Sequence, residues 1–174
     1  MDVKTSLEAV VDIASQTLTV LRDGVVIARY PVSTAANGVG CEENSGKTPL
    51  GLHRVCEFIG EGMQPGQIFS SRIPVEGCVL ARDRWADGEG DAILTRIMWL
   101  EGLEDCNRGA GHDSRARYIY IHGTNHEAKI GTPCSHGCIR MRNDDIIELF
   151  DLAKSGMSVQ VKEVLRTCDF PTPA

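Results

Sequence analysis

Over the first fifth of the chain, short apolar stretches alternate with polar residues at a period of two. Ala9 to Ile13, Thr17 to Leu21 and Val25 to Val32 read as strands, with reversals at Ser15-Gln16 and Arg22-Asp23-Gly24. Leu18 and Val20 alternate with Thr17 and Thr19, which predicts one buried face; a helix here would have to cross two turn signals. Ala92 to Leu100 predicts a further strand, and Tyr118 to Ile121 one that ends at His122. The period then lengthens. Asn143 to Gly156 predicts a helix, with Asn143 capping its start, Asp144 and Asp145 at the positive end of the dipole and Gly156 as left-handed terminator. Its packing face is Ile146, Leu149, Phe150 and Ala153, widened by Ile147 and Leu152. Ser158 to Val164 predicts a last strand, while Asp87 to Asp91 and Gly109-Ala110-Gly111 read as loops in the weakly patterned stretch 76–114. The sum is a mainly β fold with one or more short helices: a lead over 1–7, a single folded domain over 8–165 and a peripheral tail over 166–174.

With 174 residues, 42% of them hydrophobic, and seven prolines, the chain can build one ordinary core. A net charge of -6 gives no general attraction for nucleic acid or an anionic membrane. No stretch approaches the roughly 18 apolar residues of a membrane span. Met1 to Ser6 and the segments broken by Glu8 and Asp12 contain no export-signal core. Seven cysteines, at 41, 56, 78, 106, 134, 138 and 168, are odd in number and widely spaced, which suits a reducing compartment. These features predict a cytoplasmic protein; the alternative is a cell-envelope protein whose export signal has been removed.

The chemistry concentrates between Ile121 and Arg142. A free thiol with a pKa near 8.5 is only a few per cent ionised at neutral pH and needs an imidazole beside it to act as a nucleophile. His122 and His136 are both candidates to serve Cys138, and the residues alone do not choose between them. Gly137 permits a tight turn whose backbone N–H groups, with that of Cys138, point toward an oxyanion. Zinc held by Cys134, Cys138, His122 and His136 is the competing reading, disfavoured because zinc sites use compact paired spacings. A serine hydrolase using Ser33, Ser70 or Ser135 lacks the G-x-S-x-G elbow. No metal or cofactor is needed. Trp99 forms either an apolar cleft wall or part of the core.

His122-Gly123-Thr124-Asn125 followed by Ser135-His136-Gly137-Cys138-Ile139-Arg140, with Val32-Ser33-Thr34, Asn37-Gly38 and Lys47-Thr48-Pro49-Leu50-Gly51 upstream, resembles the L,D-transpeptidase or YkuD family over roughly residues 8 to 162. The resemblance implies a YkuD-like β-sandwich of mixed sheets, with Cys138 as nucleophile, His122 as proton carrier and a group near Gly123 and Thr124 orienting its second nitrogen. It further implies that His136 shapes the cleft and that Arg140 holds the thiolate or a substrate carboxylate. Gly123, Thr124, Ser135, Arg142 and Trp99 are the expected substrate contacts. The implied substrate is the stem peptide of peptidoglycan, or a soluble muropeptide carrying it. Cys138 would take the diamino-acid acyl group and release terminal D-alanine; water as acceptor makes an L,D-carboxypeptidase, an amine an L,D-transpeptidase. The cytoplasmic expectation favours hydrolysis, in cell-wall recycling.

Overall fold

The computed structural model describes residues 6–78, 90–153 and 157–164. Ten strands join in one hydrogen-bonded network: β1 (Leu7–Asp12), β2 (Thr17–Arg22), β3 (Val25–Pro31), β4 (Gly51–Ile59), β5 (Gln67–Ser70), β6 (Ile73–Cys78), β7 (Ile93–Gly102), β8 (Tyr120–Thr124), β9 (Ile139–Met141) and β10 (Ser158–Lys162). The order β3-β2-β1-β10-β4-β7 continues into β5-β6, while β8 and then β9 branch from β7. β1 with β10 and β8 with β9 are parallel and the other pairs antiparallel, so the sheet is mixed as expected. The α-helix among the described residues, α1 (Asn143–Ala153), packs on β7 and β8.

The fold follows from where the apolar periods converge. Leu18, Val159, Met98, Ile121, Ile139 and Phe150, drawn from distant strands and from α1, share one core cluster. Ile146, Leu149, Phe150 and Ala153 are the fully buried helix positions expected from the 3.6 period. Burying a side chain like Phe150 contributes about 2 to 3 kcal/mol, and its ring meets Phe58 edge-on at 5.3 Å.

Several expectations need correction. β1 begins at Leu7, inside the expected lead. Thr19 is buried along with Leu18 and Val20, so β2 is covered on both faces. Asn143 does not cap through its side chain: Arg142 supplies the first helical acceptor to Ile146 N–H, while the Asn143 amide donates to the Thr124 carbonyl and accepts from Thr95. Tyr118 is in a turn at φ +56, because Tyr118 N–H closes back on Arg115, and the strand shifts to place His122 at its centre. β4, β5 and β6 had no sequence signal. β4 is bulged between Val55 and Glu57, and the β5–β6 hairpin turns through Ser71 and Arg72, both at positive φ, without the usual glycine or asparagine. Asp87 to Glu89, the helix end at Gly156 and the tail 166–174 lie outside the described residues.

Candidate active site

In the parallel β8–β9 pair, Ile121 lies opposite Ile139, His122 opposite Arg140 and Gly123 opposite Met141. Because side chains alternate across a strand, this register sorts the motif into two sets. Ile121, Ile139 and Met141 enter the main core. Tyr120, His122 and Arg140 take the other face. Cys138, one residue before β9, continues that face diagonal to His122 and packs on a second cluster of Phe69, Ile97 and Tyr120.

His122 is 2% exposed. Its Nδ1 lies 2.7 Å from the Gly123 carbonyl; that oxygen only accepts, so Nδ1 carries the proton and Nε2 of the neutral ring keeps its lone pair. Burial pushes the imidazole pKa down, to about 4, against the opposing pull of the Gly123 carbonyl and Asp91. Burial likewise pushes the Cys138 thiol up to about 11. Tyr120 N–H donates to Sγ at 3.4 Å, and the thiol donates to the Tyr118 carbonyl at 3.4 Å rather than to His122. The resting pair is thus thiol and uncharged imidazole. Such an arrangement deprotonates the nucleophile as it attacks.

The turn that carries Cys138 is held from within and from outside. Ser135 Oγ donates to the Cys138 carbonyl at 2.5 Å and accepts from Gly137 N–H at 3.2 Å. Gly137 N–H is therefore engaged by Ser135 and not aimed at an oxyanion, which leaves the Cys138 N–H as the candidate donor. Gly137 sits at φ +135, where a side chain would also press on Ile119 and on the Lys47 carbonyl. Thr48 Oγ1 donates to the Gly137 carbonyl at 2.9 Å and accepts from Ala35 N–H at 3.0 Å. Ser33 and Arg140 exchange backbone hydrogen bonds at 2.9 and 2.8 Å. The upstream motifs of the sequence thus surround the Cys138 turn.

Asp91 is the residue that sequence reasoning missed. Its carboxylate pairs with the Arg140 guanidinium, and Oδ2 also lies 3.4 Å from His136 Nδ1. Arg140 is 2% exposed and donates through Nη1 to Cys134 Sγ at 3.4 Å. Its charge and that of Asp91 act on His122 and Cys138 alike. Its place follows from strand pairing: Asp91 lies just before β7, whose Ile93 pairs with Thr124, and Asn125 holds the approach through Ala92 N–H and the Gly90 carbonyl. Arg117 was missed as well. It binds the Lys47 carbonyl at 2.7 Å and the Gly40 carbonyl at 3.2 Å, and its charge reaches Cys138.

The structure gathers some of the expected substrate contacts and disperses others. Trp99, opposite Tyr120 in β7, is on the Cys138 face and half-buried. His136 is exposed and, with Tyr118, Arg117 and Glu43, lines a cleft of about 360 Å³. Ser135 is buried and used within the turn. Thr124 is fully buried, its hydroxyl accepting from His126 N–H. Gly123 backs onto α1, where a Cβ would lie 2.4 Å from Asn143 Oδ1 and 2.7 Å from the Leu94 carbonyl. These three support the site from behind. Arg142 is exposed at the start of α1, where its charge acts on Asp145. Among the described residues no group of three His, Cys, Asp or Glu could hold a metal, and no helix is long and apolar enough to cross a membrane.

Residues 7–161 match the family described as L,D-transpeptidase catalytic domain, YkuD. The chain is 39% identical over 114 residues, 65% of its length, to the putative L,D-transpeptidase YqjB of Bacillus subtilis, covering 60% of that protein. It is 53% identical over 45 residues, 26% of its length, to the probable L,D-transpeptidase ErfK/SrfK of Salmonella typhimurium, covering 15% of it. In fold it resembles L,D-transpeptidase 3 from Mycobacterium tuberculosis, solved with a faropenem-derived adduct, at a TM-score of 0.56 and 18% identity over 91% of this chain and 61% of that one. The chain thus spans less than two thirds of each of these proteins. Both sequence relatives are named transpeptidases, which overturns the expectation of a carboxypeptidase.

Proposed function

The chain belongs to the L,D-transpeptidase catalytic-domain family, and from that premise we propose that it is a cysteine acyltransferase acting on the stem peptides of peptidoglycan. The observation that carries this reading is the placement of His122 and Cys138 on one face of β8–β9, with the Gly123 carbonyl fixing the His122 tautomer so that Nε2 accepts a proton. Sγ attacks the carbonyl of the diamino acid while Nε2 takes the thiol proton. Cys138 N–H supports the oxyanion; a well-aimed donor contributes about 3 kcal/mol to such a transition state. Collapse breaks the peptide bond, His122 returns the proton to the leaving amine, and D-alanine departs from the Cys138 thioester. The acceptor amine then gives its proton to His122 and forms the new amide, freeing the thiol. His136 and Asp91 shape the rim, and Asp91 neutralises Arg140 so that no net charge is buried beside the reacting atoms.

The test combines a defined tetrapeptide stem with purified protein, with and without excess D-amino acid, followed by mass spectrometry. The expected results are a covalent adduct on Cys138, absent in Cys138→Ala, and an exchanged tetrapeptide as the main product. Tripeptide as the main product in the presence of excess D-amino acid would refute the transferase reading.

A further inference from the structure

Two arginines, Arg140 and Arg117, act on Cys138, and two more, Arg72 and Arg115, lie on the aromatic residues beside it; the four differ in what they hold. Arg140 is paired with Asp91, and Arg117 is engaged by the carbonyls of Lys47 and Gly40. Arg72 and Arg115 form no ion pair among the described residues. Both instead lie against the Trp99 indole, their guanidinium carbons 4.6 and 5.4 Å from its ring centre. Arg72 also reaches Tyr118, at 5.1 Å, and donates to the Tyr120 hydroxyl at 3.1 Å. Trp99 stacks on Tyr118 at 5.8 Å, meets Tyr120 edge-on at 5.7 Å and donates through its indole N–H to the Arg115 carbonyl. This aromatic platform adjoins the thiol, since Sγ is hydrogen-bonded to the backbone of Tyr118 and Tyr120. Tyr118 also lines the cleft. Glu57, opposite Trp99 in β4, is an acid whose charge reaches Arg72, and it stays outside ion-pair distance.

Two guanidiniums laid on one indole and lacking an acid form a receptor for an anion that arrives with the substrate. Aromatic stacking holds the forks without occupying their N–H groups, and apart from the Arg72 Nη1 bond to Tyr120 these stay available for paired hydrogen bonds to a carboxylate. We propose that Arg72 and Arg115 bind the α-carboxylate of the terminal amino acid of the acyl donor. The inference rests on the acyltransfer reading above. It also fixes where a D-amino acid acceptor binds: release of the terminal residue and entry of a free amino acid are the same step in opposite directions, so both carboxylates use this site. Arg140, expected from the resemblance to hold the thiolate or a substrate carboxylate, is buried on Asp91 and positions the turn instead.

The test compares acylation of Cys138 by a tetrapeptide stem ending in a free carboxylate and by the same stem ending in a carboxamide. The native protein is expected to favour the carboxylate at least tenfold in kcat/KM. Arg72→Gln with Arg115→Gln should bring that ratio close to one, and Arg72→Lys, which keeps the charge but loses the fork, should retain only part of it. A native protein without the preference, or a double variant that keeps it, overturns the proposal. A second readout does not depend on turnover. In a Trp85→Phe background, D-alanine should change Trp99 fluorescence saturably, while D-alaninamide and the double variant should give no such change. Should the stem peptide fail to acylate Cys138, the acyltransfer reading fails, and the fluorescence titration alone decides whether a carboxylate site exists; no saturable response to D-alanine then overturns it.

Discussion

Cys138 and His122 are both neutral at rest because burial disfavours the charged form of each, raising the thiol and lowering the imidazole. The consequence is visible in pH profiles. Iodoacetamide alkylation of Cys138 should keep accelerating above pH 9, and the acid limb of kcat/KM should fall below the ordinary histidine value of about 6.5, because His122 remains able to accept a proton there. An alkylation rate already level at pH 7 would mean a preformed thiolate. Asp91 and Arg140 push the thiol in opposite directions, the carboxylate up and the guanidinium down. Asp91→Asn is therefore expected to speed alkylation at pH 7 while slowing acyl transfer, since the turn loses the carboxylate that seats Arg140. A parallel fall in both rates would mean that Asp91 is merely structural. At this scale the sequence pointed to Cys138 and to a histidine, but not to Asp91, whose approach to Arg140 depends on the pairing of β7 with β8.

β7 and α1 set the geometry behind the site. β7 carries a bulge between Leu94 and Ile97, opposite Gly123 and His122, with Thr95 at φ +69. The strained threonine is held by Gly66 N–H and by Asn143, which also binds the Thr124 carbonyl and Glu127. Asn143→Leu should leave several buried polar groups unpaired and cost about 2 to 3 kcal/mol of stability in a urea titration; an unchanged midpoint would show that the network is dispensable. Phe150→Ala, in the core beneath, should cost about 3 to 5 kcal/mol. Thr48→Val is close to isosteric but removes the hydroxyl between Gly137 and Ala35. Its expected signature is a kcat about tenfold lower with KM little changed, as a loss of about 1.4 kcal/mol in turn alignment predicts. The 3.6 period made α1 legible. The bulge and the Ser71-Arg72 turn were not, because both place non-glycine residues at positive φ, where composition carries no signal.

Across the whole molecule, two buried histidines link stability to pH. His53, bonded to Ser114 and to the Gly51 carbonyl, is held low by burial, as is His122. Between their lowered folded values and about 6.5 the unfolded chain binds more protons than the folded one, so their contribution weakens as pH falls through that window. Urea midpoints should drop from pH 7.5 to pH 5, and His53→Gln should make the drop shallower; an equal drop in that variant would remove His53 from the account and leave the effect to His122 and the carboxylates. The sequence by itself determined the mainly β class, the helix face and the order of the motifs, and it singled out Cys138 as the candidate nucleophile, because period and local turn chemistry are carried by residues near one another in the chain. Tertiary structure alone decided that Tyr120, His122, Cys138 and Arg140 share a face and that Asp91 closes on Arg140. It also brought Arg72 and Arg115 to one indole. Those relations depend on the parallel register of β8 with β9 and on the pairing of β7, and strand pairing joins residues whose separation in the chain leaves no local pattern.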